Sequence, residues 1–425
     1  MKPQYQFLFL LAITGLLPQR GAGQQLEAWA DIRMRYEFRN GYATPRPDSA
    51  KAAHFVTQRN RLRIEYQDSK LKLRITPQNV RVWGDVATTS RSDINMQLHE
   101  AWAELALGKR ADVRVGRQEL DYDDARILGN VDWNMQARSH DVIRISYRPD
   151  SLQQFHAGAA LNAGRESLFK ENYPVANQYR LMQFGWYRVG SATRSLSLLI
   201  LNQGIPFLTG SQEKLAWNQT MGFRAMRRTK GWHAELSSYL QTGHIGERSL
   251  VAWQVAAIAS ANISEKWKIT AGMEQLSGQP LSGKEKTIRS FNPWFGTNHK
   301  FNGYMDYFYV GNHLNNIGLL DLYGSVDWHA ARTGIQLTSH YFAAAVPVGL
   351  PVQQGRKLGV ELDATVRIAI GRFSSVVAGY SQMIASPLLG HIKGGSYDKT
   401  NNWFYTSLNI SPQILHHTFL GQKNP

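Results

Sequence analysis

The residues best suited to chemistry are crowded into one short run, RVGRQELDYDDARILG, from Arg114 to Gly129. Arg114, Arg117 and Arg126 stand there beside Glu119, Asp121, Asp123 and Asp124. Two such carboxylates could serve glycoside hydrolysis, one as acid and one as base or nucleophile. That chemistry needs the pair on opposite sides of a substrate, which close sequence neighbours seldom reach. Ion pairing with the adjacent arginines is the plainer expectation. An EF-hand calcium loop fits poorly, because Asp121-Tyr122-Asp123 lacks the later glycine and glutamate. Ser167-Leu168-Phe169-Lys170 matches S-x-x-K without a companion motif, and His416-His417 is an isolated pair near the end of the chain. The sequence therefore predicts no catalytic residue, no metal ligand set and no cofactor. It leaves a dense cluster of opposite charges that some scaffold must hold.

The scaffold is read from periodicity. In RNRLRIEY (59–66), Leu62, Ile64 and Tyr66 alternate with Arg59, Arg61, Arg63 and Glu65. In KLKLRIT (70–76), Leu71, Leu73 and Ile75 alternate with Lys70, Lys72, Arg74 and Thr76. A period of two means strand, and Gln67-Asp68-Ser69 between the runs is a tight turn. The same alternation recurs in DVIRISY (141–147), SLSLLIL (195–201), KWKITAGME (266–274), GLLDLYGSVDWH (318–329) and VELDATVRIAI (360–370). Helical periodicity is hardly visible after residue 24, and no shift of composition divides the chain. Residues 1–23 read as a secretory signal peptide, with the apolar run FLFLLAITGLL and the small residues GAG before the expected cleavage point. Residues 24–425 read as one all-β domain.

Alternation alone does not say which face is wet. A soluble sandwich buries its apolar face, whereas a transmembrane barrel turns it to lipid and keeps the polar face in the lumen. Mean hydropathy is −0.37, which does not discriminate, since only every second barrel residue meets lipid. Three features favour the barrel. The polar faces carry successive arginines. Tyr66, Trp267, Trp328 and Trp403 lie near strand ends, where an interfacial girdle would sit. Roughly 16 to 18 strand candidates follow one another without interruption, as in a large barrel. Lys+Arg is 48 against Asp+Glu 32, a formal +16 that points to an anionic partner. Export from the cytoplasm argues against nucleic acid. With no cysteine in the chain, disulfides and thiolate sites are excluded.

The run RVGRQELDYDDARILGNVDWNMQARSHDVIRI resembles the signature of the alginate export family of outer-membrane proteins. Gly116, Arg117, Gln118, Arg126, Gly129, Trp133, Arg138 and Asp141 fill the matching places, with His140 where an aromatic is usual. FNPWFGTNHKFNGYMDYFYVGN (291–312), SHYFAAA (339–345), LGVELD (358–363) and AGYSQM (378–383) are similar, in order, to members of the Bacteroidetes type. The resemblance implies a monomeric antiparallel barrel of roughly 18 strands in the bacterial outer membrane. The best known member carries polyanionic alginate outward through a constricted, arginine-rich pore, and a periplasmic partner could deliver the cargo.

Such a pore selects anions with rings of cations, each weak enough to release the solute onward. The residues expected to line it are Arg59, Arg61, Arg63, Lys72, Arg74, Arg114, Arg117, Arg126, Arg138 and Arg144. The competing reading is an ion-pair ladder that holds the barrel together, with Glu65, Glu100, Glu104, Asp124 and Asp141 as partners. Arg59, Arg61 and Arg63 outnumber the nearby acids, so they are expected to contact solute. Residues 276–316 show no clear alternation and are rich in aromatics and asparagine. They read either as a constriction folded into the lumen or as an ordered extracellular loop, with Trp294, His299, Lys300 and Asp306 as the residues of interest. NWFYTSLNI (402–410) reads as the last clear strand. Beyond Ser411-Pro412 the sequence allows either a tail or a closing strand that runs on to Phe419. Two other functions compete with an anionic small-molecule or polysaccharide channel: an outer-membrane hydrolase or lyase, and a soluble secreted module that binds acidic polysaccharide.

Overall fold

The computed structural model describes residues 24–90, 96–176, 178–281, 285–308, 317–349 and 354–419; the predicted signal peptide lies outside the described residues. Nearly all of the chain forms one closed antiparallel barrel of 18 strands. The first six build the wall of interest: β1 (Gln24–Asn40), β2 (Ala53–Gln67), β3 (Leu71–Val82), β4 (Met96–Ala106), β5 (Ala111–Gln118) and β6 (His140–Tyr147). Each strand pairs with its sequence neighbour, as a meander of hairpins must.

Closure comes from the last strand. Asn402–Ile410 pairs with Ile32–Asn40 of β1, and Gln413–Phe419 pairs with Gln24–Trp29. Ser411-Pro412 makes only a local break, since the Pro412 carbonyl still accepts from the Ala30 N–H at 3.1 Å. The closing strand therefore runs on to Phe419. A closed ring leaves no sheet edge, and its backbone groups are paired within the sheet, which a bilayer core demands.

The alternation resolves into two faces. Leu62, Ile64, Ile75, Val115, Ile143, Ile145, Leu198, Ile200, Ile269, Leu322 and Leu362 are exposed on the outer wall. Arg59, Glu65, Glu100, Arg144, Asp321, Glu361 and Asp363 are buried on the inner one. A soluble sandwich would bury the first group, so the apolar belt is the lipid face. Trp267 and Trp328 are paired in register on that face, as a girdle requires. Trp403 is a correction to the predicted girdle: it is fully buried inside the barrel and donates to Glu37 at 3.1 Å.

The two ends differ. One end carries Gln24, Phe419 and short turns such as 68–70, 107–110 and 331–332, while the other carries long connections such as 41–52, 119–139 and 386–400. In barrels of this kind the short turns are periplasmic and the long loops extracellular. Several long connections turn inward. Leu120, Ile127 and Leu128 pack in one apolar cluster with Phe291, Phe295, Met305 and Tyr307, sealed by the helix Pro387–Lys393. Residues 119–139 and 291–308 thus form an inner layer against the lumen wall.

Glycine permits two close approaches in the motif. Gly116 has φ +122°, and a Cβ there would stand 2.3 Å from the Ala101 carbonyl oxygen of the neighbouring strand. A Cβ on Gly129 would stand 2.3 Å from Thr297 Oγ1, where the two inner loops meet. Gly116→Ala is expected to destabilise the barrel by about 1–3 kcal/mol. The check is the temperature at which the folded, faster-migrating band converts to the unfolded one on a gel; an unchanged transition would remove the steric argument.

Candidate functional site

Strands β2 to β6 bring most of the predicted cations to one wall of the lumen. Arg63 lies 4.0 Å over the Trp29 ring and 3.5 Å from Glu65. Lys72 reaches Glu65 at 3.1 Å, and Arg74 bridges Glu65 at 2.8 Å and Glu100 at 2.9 Å. Arg114 and Arg144 converge on Glu104 at 2.6 Å and 3.3 Å. The Trp102 ring lies between Arg114 at 3.8 Å and Arg74 at 5.1 Å. Arg63, Lys72, Arg74, Arg114 and Arg144 set against Glu65, Glu100 and Glu104 leave a surplus of two positive charges on this wall. The ladder is thus real, and it is incompletely neutralised.

Farther in, the arginines meet a loop. Arg59 donates to Asp31 at 2.6 Å and to Asp132 at 2.7 Å. Arg33 donates to the Asp132 carboxylate at 2.7 Å and to its carbonyl at 2.6 Å. Arg61 holds Gln78 at 2.7 Å and touches Asp132 at 3.4 Å. Arg35 donates to the Trp133 carbonyl at 2.8 Å and covers its ring at 4.2 Å. The other face of Trp133 is stacked on His299 at 4.2 Å. Burial alone would raise the Asp132 carboxyl, but Arg33 and Arg59 outweigh it and hold the group below its usual range. A distant loop adds an acid that the local sequence does not show, so Arg33, Arg59 and Arg61 share Asp31 and Asp132. Arg59 is buried, with both terminal guanidinium nitrogens engaged by Asp132 and Asp31.

A cavity of about 890 Å³ opens beside this cluster. Its charged lining comprises Arg33, Arg35, Arg59, Lys268, Lys300 and Arg367 against Asp31, Asp132 and Asp327, a surplus of three positive charges. Of the four residues proposed for a constriction, His299 and Lys300 line this cavity, and Trp294 and Asp306 do not. Asp306 instead anchors the inner loop through His299 and the Tyr42 hydroxyl. Trp294 packs against the apolar cluster.

Three motif arginines lie elsewhere than predicted. Arg117 shares strand parity with exposed Val115, so it stands on the outer face, paired with exposed Asp141 at 3.0 Å. Arg126 is buried under the inner loops, donating to Glu274 at 2.8 Å and to Asn302 at 3.1 Å, with its guanidinium over Phe301 at 4.5 Å. Arg138 ties loop to loop through the Gly296 carbonyl at 3.2 Å. Arg117 and Arg126 take their ion-pair partners from Asp141 and Glu274 rather than from the acids between them, a further correction. Asp123 accepts from the Trp186 indole at 3.1 Å, and burial outweighs its hydrogen bonds to lift its carboxyl above the usual range. Burial and then Glu119 lift Asp121 likewise, against Lys300. The Asp124 carboxylate accepts the main-chain N–H of Arg126 at 3.1 Å, and its carbonyl accepts from Lys300 at 2.9 Å.

Arg33, Arg35 and Asp31 went unpredicted, although DIRMRYEF (31–38) alternates as clearly as RNRLRIEY. Trp29 and Trp102 also follow inner-face parity. Asp132 and Glu274 had no local signal, being 73 and 148 residues from the arginines they meet.

No curated protein matches the chain in sequence. Solved structures share the fold. OccK11 (OpdR) of Pseudomonas aeruginosa superposes with a TM-score of 0.59 at 11% identity, covering 92% of this chain and 96% of that one. OccK2 (OpdF) of the same organism, in complex with glucuronate, gives 0.61 at 13% identity over 92% and 98%. A BenF-like porin from Pseudomonas fluorescens Pf-5 gives 0.62 at 12% identity over 92% and 99%. The architecture is that of an outer-membrane porin-like channel. The family model described as alginate export matches residues 24–345, across the signature run and the inner loops alike, and the chain belongs to the alginate export family.

Proposed function

We propose that this barrel is a channel for small anionic solutes, sugar acids and short acidic oligosaccharides in particular, which move along the cationic wall of β1 to β6. The observation that carries the reading is the surplus of cations along both the wall and the cavity. Guanidinium groups already engaged by glutamates bind an extra carboxylate weakly, and weak sites in series permit passage where one tight site would block it. The fold-mate in complex with glucuronate supports a solute of that chemistry. The inner loops narrow the lumen and favour small solutes over a polymer. We take the barrel to act as a monomer in outer-membrane lipid, without nucleic acid, metal or cofactor, and to receive solute from the periplasm with or without a delivery partner. It carries out no catalysis in this reading.

The test is the zero-current potential of the purified full chain in planar bilayers under a potassium chloride gradient. The expected sign is that of chloride preference. Preference for potassium, or no conductance, would sink the reading.

A further inference from the structure

The inner loop 119–139 is fastened to the barrel by two arginine–carboxylate contacts of different character. Arg126 and Glu274 are both buried, with side chains 1% and 5% exposed, so no solute reaches them. Asp132 is 41% exposed, although three guanidinium groups approach it. Its two carboxylate oxygens are divided between neighbouring strands: one takes Arg33 at 2.7 Å, the other Arg59 at 2.7 Å and Arg61 at 3.4 Å. Each guanidinium gives the carboxylate a single charge-assisted contact, so three cations share one anion. The carboxylate faces the cavity that the wall cations lead into. The preceding residue, Val131, has φ +54°, a conformation a β-branched side chain rarely adopts and one that persists only where the surroundings impose it.

We propose that Arg33, Arg59 and Arg61 form a carboxylate-binding site whose resident occupant is Asp132, and that a carboxylate-bearing solute binds there by displacing it. Asp132 is the specificity-determining residue in this arrangement. A neutral solute or a weakly coordinating anion cannot compete for the guanidinium groups, whereas a carboxylate presents the same two oxygens. Displacement frees the segment around Val131 to relax and withdraws it from the cavity wall. The buried Arg126–Glu274 pair holds the rest of the loop in place, so the movement stays local. This proposal rests on the lumen being an anion pathway.

The tethered carboxylate competes at an effective concentration on the order of millimolar, as short flexible tethers do. Sodium glucuronate is the probe, applied to the purified full chain in planar bilayers while block of chloride current is recorded. Asp132→Asn is expected to lower the half-blocking glucuronate concentration about tenfold, and Asp132→Glu to stay within about twofold of the wild type. An unchanged or raised half-blocking concentration in Asp132→Asn overturns the proposal. So does a higher conductance in that variant with no gain in glucuronate block, which would make Asp132 a structural latch only. A shift in Asp132→Glu equal to that in Asp132→Asn also overturns it, because charge would not be what matters. Cation preference of the wild type defeats the channel reading itself. Chloride preference with unaltered glucuronate block in Asp132→Asn defeats only the displacement.

Discussion

Replacing Arg126 with leucine is expected to detach the inner loops from the barrel wall at a local cost of ~3–5 kcal/mol, the range for breaking a buried ion pair. Without the guanidinium, the Glu274 carboxylate keeps only its hydrogen bonds from Gln254 and Asn302, both at 2.8 Å, and remains an uncompensated buried charge. The cost falls on the loops because the wall is held by its own backbone ladder, to which Arg126 contributes nothing. The two loops join each other through Gly129, Phe295 and Thr297 backbone bonds of 2.8–3.1 Å, so they should loosen together. Faster amide exchange over 119–139 and 291–308, larger and noisier conductance, and an unaltered folded band on gels form the expected pattern. Removing both charges, Arg126→Leu with Glu274→Leu, should recover most of the loss, since an apolar pair of similar volume carries no desolvated charge. Wild-type exchange rates in the single variant would show that the pair does not fasten the loops.

Neutralising Arg63, Lys72 and Arg114 together, each to glutamine, is expected to lower the anion-to-cation permeability ratio roughly a hundredfold at low salt. In a water-filled lumen each charge acts on a solute at ~8 Å with about 0.5 kcal/mol. Three such charges favour an anion by about 1.5 kcal/mol and disfavour a cation by as much, so the ratio changes by about 3 kcal/mol, roughly a hundredfold. At physiological salt the Debye length is about 8 Å, so the effect should shrink there, and this salt dependence is itself a check. Stability should hardly change, because Glu65 keeps Arg74 and Glu104 keeps Arg144. Zero-current potentials at two salt concentrations give the measurement. An unchanged ratio at low salt would show that the current does not pass along this wall.

The difference between these two variants reflects how far each residue was legible in the chain. Arg63, Lys72, Arg74, Arg114 and Arg144 alternate with apolar residues inside clear strands, so parity alone assigns them to the polar face. Arg117 was predicted with them, yet Arg114 and Arg117 lie three apart, and residues three apart on one strand face opposite ways. Parity already opposed that prediction; the density of charge in the run obscured it. Arg126 and Arg138 sit in a loop, where no period operates and the sequence is silent about direction.

The sequence by itself determined the barrel, the identity of its lipid and lumen faces, and the excess of arginine over acid on the strands from 53 to 147. These follow from a period of two, the number of successive strands and local composition, which need no knowledge of how distant segments fold back on one another. Only the tertiary structure decided which arginines are answered. Asp132 reaches Arg59 across 73 residues and Glu274 reaches Arg126 across 148, because loops fold back into the lumen and bring their carboxylates to walls built much earlier or later. A charge on a strand takes its face from its immediate neighbours, but its partner is set by where a distant loop can be packed.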